Sequence, residues 1–252
     1  MGSEDDMGSE GAMESEPPEV HQWRMLREAA GADVTIIDLY ELVARPRGLA
    51  PHDLPLAERV ALARSVMPDV WPGFETTGGS SRLGDRIEIV AYDDDWPRRY
   101  DWWHDMLSRS LGSVAQRIEH VGSTAIPGLP AKPIIDIQVS VADLADEPAY
   151  VNRIEAVGLQ LRSRDDLHRF FRQPAGTPRV VHVHVCAVGS PWERDHLLFR
   201  DHLRAEPDAR AAYAAVKYQA VSRWADDGWA YTDAKGEVIR GLIAAARRDR
   251  AR

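Results

Sequence analysis

The residues best suited to chemistry sit in two short apolar segments. In the first, His120-Val121-Gly122-Ser123-Thr124 leads into a loop with Pro127, Gly128 and Pro130, then Lys132, then Asp136 within an apolar run. A glycine lets backbone amides approach a ligand closely, and exposed amides beside a serine hydroxyl suit phosphate oxygens. Twelve residues separate Ser123 from Asp136. The second segment, 181–185, reads VHVHV and spaces His182 and His184 two apart. Side chains alternate across a strand. Ile135, Ile137, Val139 and Val141 therefore share one face and leave Asp136, Gln138 and Ser140 on the other. Val181, Val183 and Val185 likewise leave His182, His184 and Cys186 opposite. If the two strands are neighbours, Asp136, Gln138, His182 and His184 form a polar cleft floor on a hydrophobic back.

One aspartate could hold one Mg²⁺ together with a bound triphosphate. Aspartate plus histidine instead suits Mn²⁺, Zn²⁺ or another transition metal, and a histidine could serve as general base near neutral pH. Plainer roles stand beside these: Asp136 bonding loop amides, the histidines as half-buried imidazoles, Lys132 as a solvated lysine. His196, Arg200 and Arg204 fall at i, i+4 and i+8 on one helical stripe, and Tyr213 and Lys217 repeat that spacing. Facing a cleft, such a stripe could clamp phosphates; facing outward, it is a solvated surface. Arg169 and Arg172 flank Phe170-Phe171, which suits a base-stacking or phosphate-contacting strand and equally a half-buried one.

The elements that must position these groups emerge from periodicity. Residues 34–43 (VTIIDLYELV) form a strand or a short helix, and 56–66 have helical spacing of apolar residues. Residues 76–81 (TTGGSS) read as a linker. Residues 87–92 read as a strand. Residues 95–111 read as a helix, with Asp95 as N-cap and Trp96, Tyr100, Trp103 and Leu107 on its core stripe. Short strands are expected at 117–121, 133–141 and 179–188 and two more within 160–172. Helices are expected at 149–157, 191–204, 207–226 and 233–248. Mixed strands ahead of a helical C-terminal part indicate an α+β domain.

The first nineteen residues carry Glu4, Asp5, Asp6, Glu10, Glu14, Glu16 and Glu19 with no Lys or Arg, so they hold most of the net charge of -9. Such a segment buries too little to offset its ordering entropy and reads as a disordered acidic tail over 1–19. A small N-terminal extension spans 20–84 and is expected to pack on the main domain at 85–250. The acidic balance argues against general nucleic-acid binding, though a near-neutral body can still hold a basic pocket. No run approaches the roughly 20 apolar residues of a membrane span, no secretory signal opens the chain, and a cytoplasmic location is expected. Cys186 stands alone, which excludes an internal disulfide and a cysteine-rich zinc module. No Walker loop, dinucleotide fingerprint, nucleophile elbow or HExxH helix is present. The sequence implies no particular oligomeric state.

The string HVGSTAIPGLPAKPIIDI resembles the hallmark of the GrpB-like family of the nucleotidyltransferase-fold superfamily. The resemblance continues through RFF at 169–171, HVHV at 182–185, HLLFRDHLR at 196–204 and YTDAKGEVI at 231–239, covering about 86–245. It implies an α+β nucleotidyltransferase-like mixed sheet with flanking helices and a nucleotide or phosphate site. Active superfamily members hold two divalent metals with two carboxylates on one strand and a third on a neighbour. Asp136 matches the first, Gln138 stands where the second acid belongs, and His182 or His184 stands where the third would fall. The implied catalytic and metal set is Asp136, His182 and His184, with Mg²⁺ or Mn²⁺ and with Zn²⁺ as a further candidate. The implied ligand contacts are His120, Gly122, Ser123, Thr124, Lys132, Arg169, Arg172, Arg200 and Lys217. Two roles stay open: a metal-dependent transferase moving a nucleotidyl or related group to a small acceptor, or a non-catalytic nucleotide-binding or partner-assisting module. The second draws on the fusion of GrpB-like domains to dephospho-CoA kinase, a link to coenzyme A metabolism.

Overall fold

The computed structural model describes residues 16–77 and 86–250. The part of the expected tail and linker at 1–15 and 78–85 lies outside the described residues. Pro18 and Glu19, counted in the expected tail, lie in helix α1 (Pro18–Ala30), which has a proline in its first turn and buries Val20 and Trp23. The ambiguous 34–43 segment is helix α2 (Ile36–Ala44). Thr35 and Asp38 decide this by forming a reciprocal capping box, which satisfies amides that a strand would have offered sideways. Helix α3 (Leu56–Val70) comes next and runs through Pro68.

A two-residue strand β1 (Glu75–Thr76) then joins the sheet. The strand expected at 87–92 is a correction: its only ladder contact is an isolated bridge between Val90 and Ala131, because a loop rather than a strand lies beside it. Helix α4 (Trp96–Leu111) forms as expected with Asp95 at its N-cap position, but the Asp95 side chain makes no capping hydrogen bond. Its carboxylate is engaged by Arg98 at 2.6 Å and Arg99 at 2.9 Å instead.

The remaining strands are β2 (Ala115–Val121), β3 (Ile135–Val141), β4 (Gln160–Arg164), β5 (His168–Arg172) and β6 (Val181–Ala187), with helix α5 (Glu147–Glu155) after β3. Among the described residues they make a six-stranded sheet in the order β1-β4-β5-β6-β3-β2. The β3–β6 pair is parallel and the other pairs are antiparallel. Mixed sheet plus helices give the expected α+β class.

One face of the sheet is apolar. Ile135, Ile137, Val139, Val181, Val183, Val185 and Phe171 are buried against Trp103 and Leu107 of α4 and Tyr150 and Ile154 of α5. Full burial of each aliphatic side chain contributes about 1.5–3 kcal/mol, so this face fixes which way every side chain of β3 and β6 points.

The other face carries helix α6 (Pro191–Ala205), whose Glu193 accepts from the Ser140 hydroxyl of β3; α7 (Pro207–Trp224) and α9 (Gly236–Arg250) pack on α6, and α8 (Gly228–Asp233) packs on α7. Helix α8 has no counterpart among the helices expected from periodicity. Asp227 starts it by accepting from the amides of Trp229 and Ala230. The N-terminal helices share a core with this end of the molecule: Trp23, Leu39, Tyr40, Val60 and Ala63 pack with Ala220, Trp224, Trp229 and Tyr231.

Candidate functional site

Strand register brings the two chemistry-bearing segments together. Asp136 pairs with His182 and Gln138 with His184 across the parallel β3–β6 ladder. His182 Nδ1 lies 3.1 Å and His184 Nε2 3.9 Å from Asp136 Oδ1. Asp136, His182 and His184 each offer a ligand atom, and these atoms all lie within 4.8 Å of one another. Two imidazoles and one carboxylate form the donor set that suits a single transition ion.

The residues around this trio are shaped to it. Gly122 has φ +67°, and a Cβ there would come within 2.4 Å of Asp136 Oδ2, so only glycine lets the turn close over the carboxylate. Ser123 is next in the turn, and Tyr213 of α7 is buried with its hydroxyl pKa pushed up by burial and eased by Ser123. Lys217, one turn further along α7, is buried and donates to the Pro130 carbonyl. The Tyr231 ring of α8 carries Lys132 Nζ at 4.3 Å and Lys235 Nζ at 4.0 Å from its centroid. Three lysines thus converge on the loop that comes after the Gly-Ser turn.

Electrostatics are set by burial. Burial alone would push the Asp136 carboxyl up, but hydrogen bonds and charge from His182 and His184 more than offset it and hold it well below the usual carboxylate range. Burial pushes His184 down to about 4, leaving it neutral at pH 7 with one ring-nitrogen lone pair to donate. Burial also pushes Lys217 down to about 7; Asp136 opposes this shift and Lys132 adds to it. Gln138 is fully buried between Glu119 and His184, yet neither atom of its amide has a hydrogen-bond partner, nor does His184 Nδ1. Each such orphan costs about 1–3 kcal/mol.

The sequence-predicted contacts divide by sheet face. Arg172 pairs with His182 and Phe170 with His184, so both share the site's face, with Phe170's ring 5.0 Å from that of His182. Arg169 pairs with Val185 and is a correction: it points to the opposite face, where its Nε donates to Glu147 at 2.6 Å. Its guanidinium braces α5 and cannot reach a ligand at Asp136.

His120 also belongs to the α4 side. Its ring stacks on Tyr100 at 4.7 Å and its Nε2 shares a 2.9 Å hydrogen bond with Thr124 Oγ1, so these two brace the turn from behind. Arg200 is committed to Glu119 at 2.7 Å and to the His120 carbonyl. Gly122, Ser123, Lys132 and Lys217 stand beside the trio. Lys235, Gln138, Tyr213 and Tyr231 join them, although the sequence assigns them no ligand contact. Strand alternation puts Gln138 on the cleft floor and the Tyr213/Lys217 helical spacing marks Tyr213; no periodicity marks Tyr231 or Lys235.

Burial lowers His120, too, to about 4, with smaller opposing help from Asp136. An unfolded chain takes up a proton at such a histidine below about pH 6.5, and the folded protein does so only near pH 4. Each proton bound by the unfolded state alone favours unfolding. Stability of the metal-free protein therefore falls from about pH 6.5 down to about pH 4, by roughly 3 kcal/mol for His120 at about 1.4 kcal/mol per unit. Thermal unfolding of wild type and His120→Phe between pH 7 and 4 checks this. The variant is expected to have the shallower acid slope, and parallel slopes would contradict the assignment.

A family model described as GrpB protein matches residues 86–245. A UPF0157 protein of Streptomyces coelicolor is 41% identical over 179 residues, covering 71% of this chain and 92% of the relative. A protein named dephospho-CoA kinase from Mycolicibacterium paratuberculosis is 34% identical over 180 residues, which span 61% of this chain and 44% of that protein. The crystal structure of the conserved protein GrpB from Enterococcus faecalis superposes with a TM-score of 0.58 at 25% identity, covering 66% of this chain and all of that one. Among the described residues, no helix is long and apolar enough to cross a membrane.

Proposed function

The chain belongs to the GrpB family, and on that premise we propose that it binds a nucleotide through its phosphates beside one divalent metal and transfers a nucleotidyl or related activated group to a small acceptor. One observation carries the reading: two imidazoles and an ionised carboxylate converge within 4.8 Å under a turn too tight for any side chain at Gly122.

Asp136, His182 and His184 would hold the metal. Two nitrogen donors favour Mn²⁺ or Zn²⁺ over Mg²⁺. When bound, such an ion supplies Lewis-acid polarisation of a phosphoryl oxygen. The Ser123 hydroxyl and the amides of its turn donate to the phosphate oxygens, and Lys132 and Lys235 neutralise their charge. Lys217 Nζ, held near pKa 7 and anchored on the Pro130 carbonyl, takes up the proton of the acceptor hydroxyl as its oxygen bonds the α-phosphorus and pyrophosphate leaves. Gln138, in place of a second acid, leaves the site with one metal. The likeness to a protein named dephospho-CoA kinase favours a second reading, a metal-independent module that binds coenzyme A or its precursor.

Calorimetric titration and thermal shift of the metal-free protein separate these readings. The expected result is one Mn²⁺ or Zn²⁺ per chain, then metal-dependent binding of a nucleoside triphosphate. A ligand at 100 times its Kd adds ~2.7 kcal/mol, a shift of roughly 5–10 °C at this chain length. A shift with dephospho-CoA or CoA that needs no metal would favour the second reading, and neither response would remove both.

A further inference from the structure

A second concavity lies behind the Gly-Ser turn, around the edge strand β2. It encloses about 290 Å³ and is walled by Pro97 and Tyr100 of α4, by Thr124, Ala125 and Pro127, and by Arg200 and Arg204 of α6. We infer that this cleft is a separate site for a small carboxylate- or phosphate-bearing molecule, recognised by the Arg204 guanidinium; naming that molecule as the acceptor rests on the metal-and-phosphate reading above.

The charges in the cleft lead to an anion. Glu119 is spent on Arg200 at 2.7 Å, and the two cancel. His120 is uncharged at neutral pH and tied to Thr124. Arg204 differs from both. Its Nε donates to the Ala125 carbonyl at 2.8 Å, and no carboxylate pairs with it among the described residues. Burial, and then the neighbouring Arg200 cation, work against its charge, as expected of a cation with no counter-ion of its own. The backbone bond through Nε orients the fork and leaves the two terminal nitrogens for a ligand. Tyr92, whose ring also lines the cleft, brings a hydroxyl near the same guanidinium.

A lining with an unpaired fork and a phenol, and with its one carboxylate already engaged, fits one oxyanion group held by two parallel hydrogen bonds. The volume is at the low end of small-molecule sites, which restricts the ligand to a compact metabolite. The turn is shared: Gly122 closes over the Asp136 carboxylate on the metal side, while Thr124 and Ala125 form the wall of this cleft. A molecule held by Arg204 therefore sits one backbone turn away from Asp136.

The test uses malonate and inorganic phosphate as probes, titrated into the full metal-free chain and monitored by calorimetry and amide chemical shifts. Wild type, Arg204→Gln, Arg204→Lys and Asp136→Asn are compared, with Mn²⁺ affinity measured on the same samples. Saturable binding of at least one probe is expected. Arg204→Gln should weaken it at least about tenfold, as for loss of a charge-assisted hydrogen bond. Arg204→Lys should weaken it less, because it keeps the charge without the fork. Asp136→Asn should lose Mn²⁺ and keep the anion. A carboxylate preference, a phosphate preference or acceptance of both identifies the group. No saturable binding, equal binding by Arg204→Gln, or loss of the anion in Asp136→Asn would each overturn the assignment. The Mn²⁺ result reports separately on the metal site.

Discussion

Replacing Asp136 by asparagine is expected to abolish stoichiometric metal binding while leaving the metal-free unfolding temperature within a few degrees of wild type. The two outcomes are separable because the carboxylate does different things in the two states. With metal, it is the one anionic donor beside two neutral nitrogens. Loss of groups that merely orient a ligand lowers metal affinity about 10–100-fold, so loss of the ligand itself should exceed about 100-fold. Without metal, the ionised carboxylate is desolvated and held by two imidazoles, and asparagine removes that desolvation cost along with the hydrogen bonds. Gly122→Ala is the companion variant. It keeps all three ligands, yet its Cβ would come within 2.4 Å of Asp136 Oδ2 at a φ of +67°, so it should lose metal by displacing the carboxylate. Calorimetric titration of Mn²⁺ and Zn²⁺ into both variants, with thermal unfolding in chelator, checks the pair. Wild-type affinity in Asp136→Asn would sink the site.

Much of this site is legible in the sequence because strand alternation is a local rule. Ile135, Ile137 and Val139 force Asp136 and Gln138 outward, and the VHVHV pattern does the same for His182 and His184. What alternation cannot give is that β3 and β6 are neighbours, since α5, β4 and β5 lie between them in the chain. The same rule, applied to 168–172, separates the two arginines. With Phe171 in the core, Arg169 belongs to the core face and Arg172 to the site's. Their shared flanking of two phenylalanines is a likeness of composition rather than of geometry. Lys235 and Tyr231 are unreadable for a different reason. They reach the loop because α8 begins where Asp227 caps it, and that cap depends on residues from the other end of the chain. The 34–43 segment has balanced strand and helix signals, and a capping box at Thr35 tips it.

Arg59→Leu should destabilise the protein more than any substitution at the metal trio, by about 3–5 kcal/mol, the usual cost of leaving a buried charge without its partner. Arg59 and Asp227 are both nearly fully buried. Arg59 Nη1 donates to Asp227 Oδ2 at 3.1 Å, its Nη2 to Asp226 at 2.9 Å and its Nε to the Leu54 carbonyl. Asp227 in turn accepts from the Tyr40 hydroxyl and from the first amides of α8. Leucine keeps the apolar contacts of α3 but strands the carboxylate, so the loss comes from charge rather than volume. At roughly 2–4 °C per kcal/mol for a chain of this size, the unfolding temperature should fall by about 6–20 °C.

The double variant Arg59→Leu/Asp227→Asn should recover part of that loss, since an amide can still accept from α8 without an uncompensated charge. A shift under about 2 °C in the single variant, or no recovery in the double, would show that the pair does not hold the N-terminal helices to α8. The consequence for function is specific. The family match begins at residue 86, yet α8, whose Tyr231 ring carries Lys132 and Lys235, is capped by an aspartate that residues 40 and 59 hold in place. In this chain the segment ahead of the family domain is part of the framework that sets two of the site's three lysines. Arg59→Leu should therefore weaken nucleotide binding even at temperatures where the variant is fully folded.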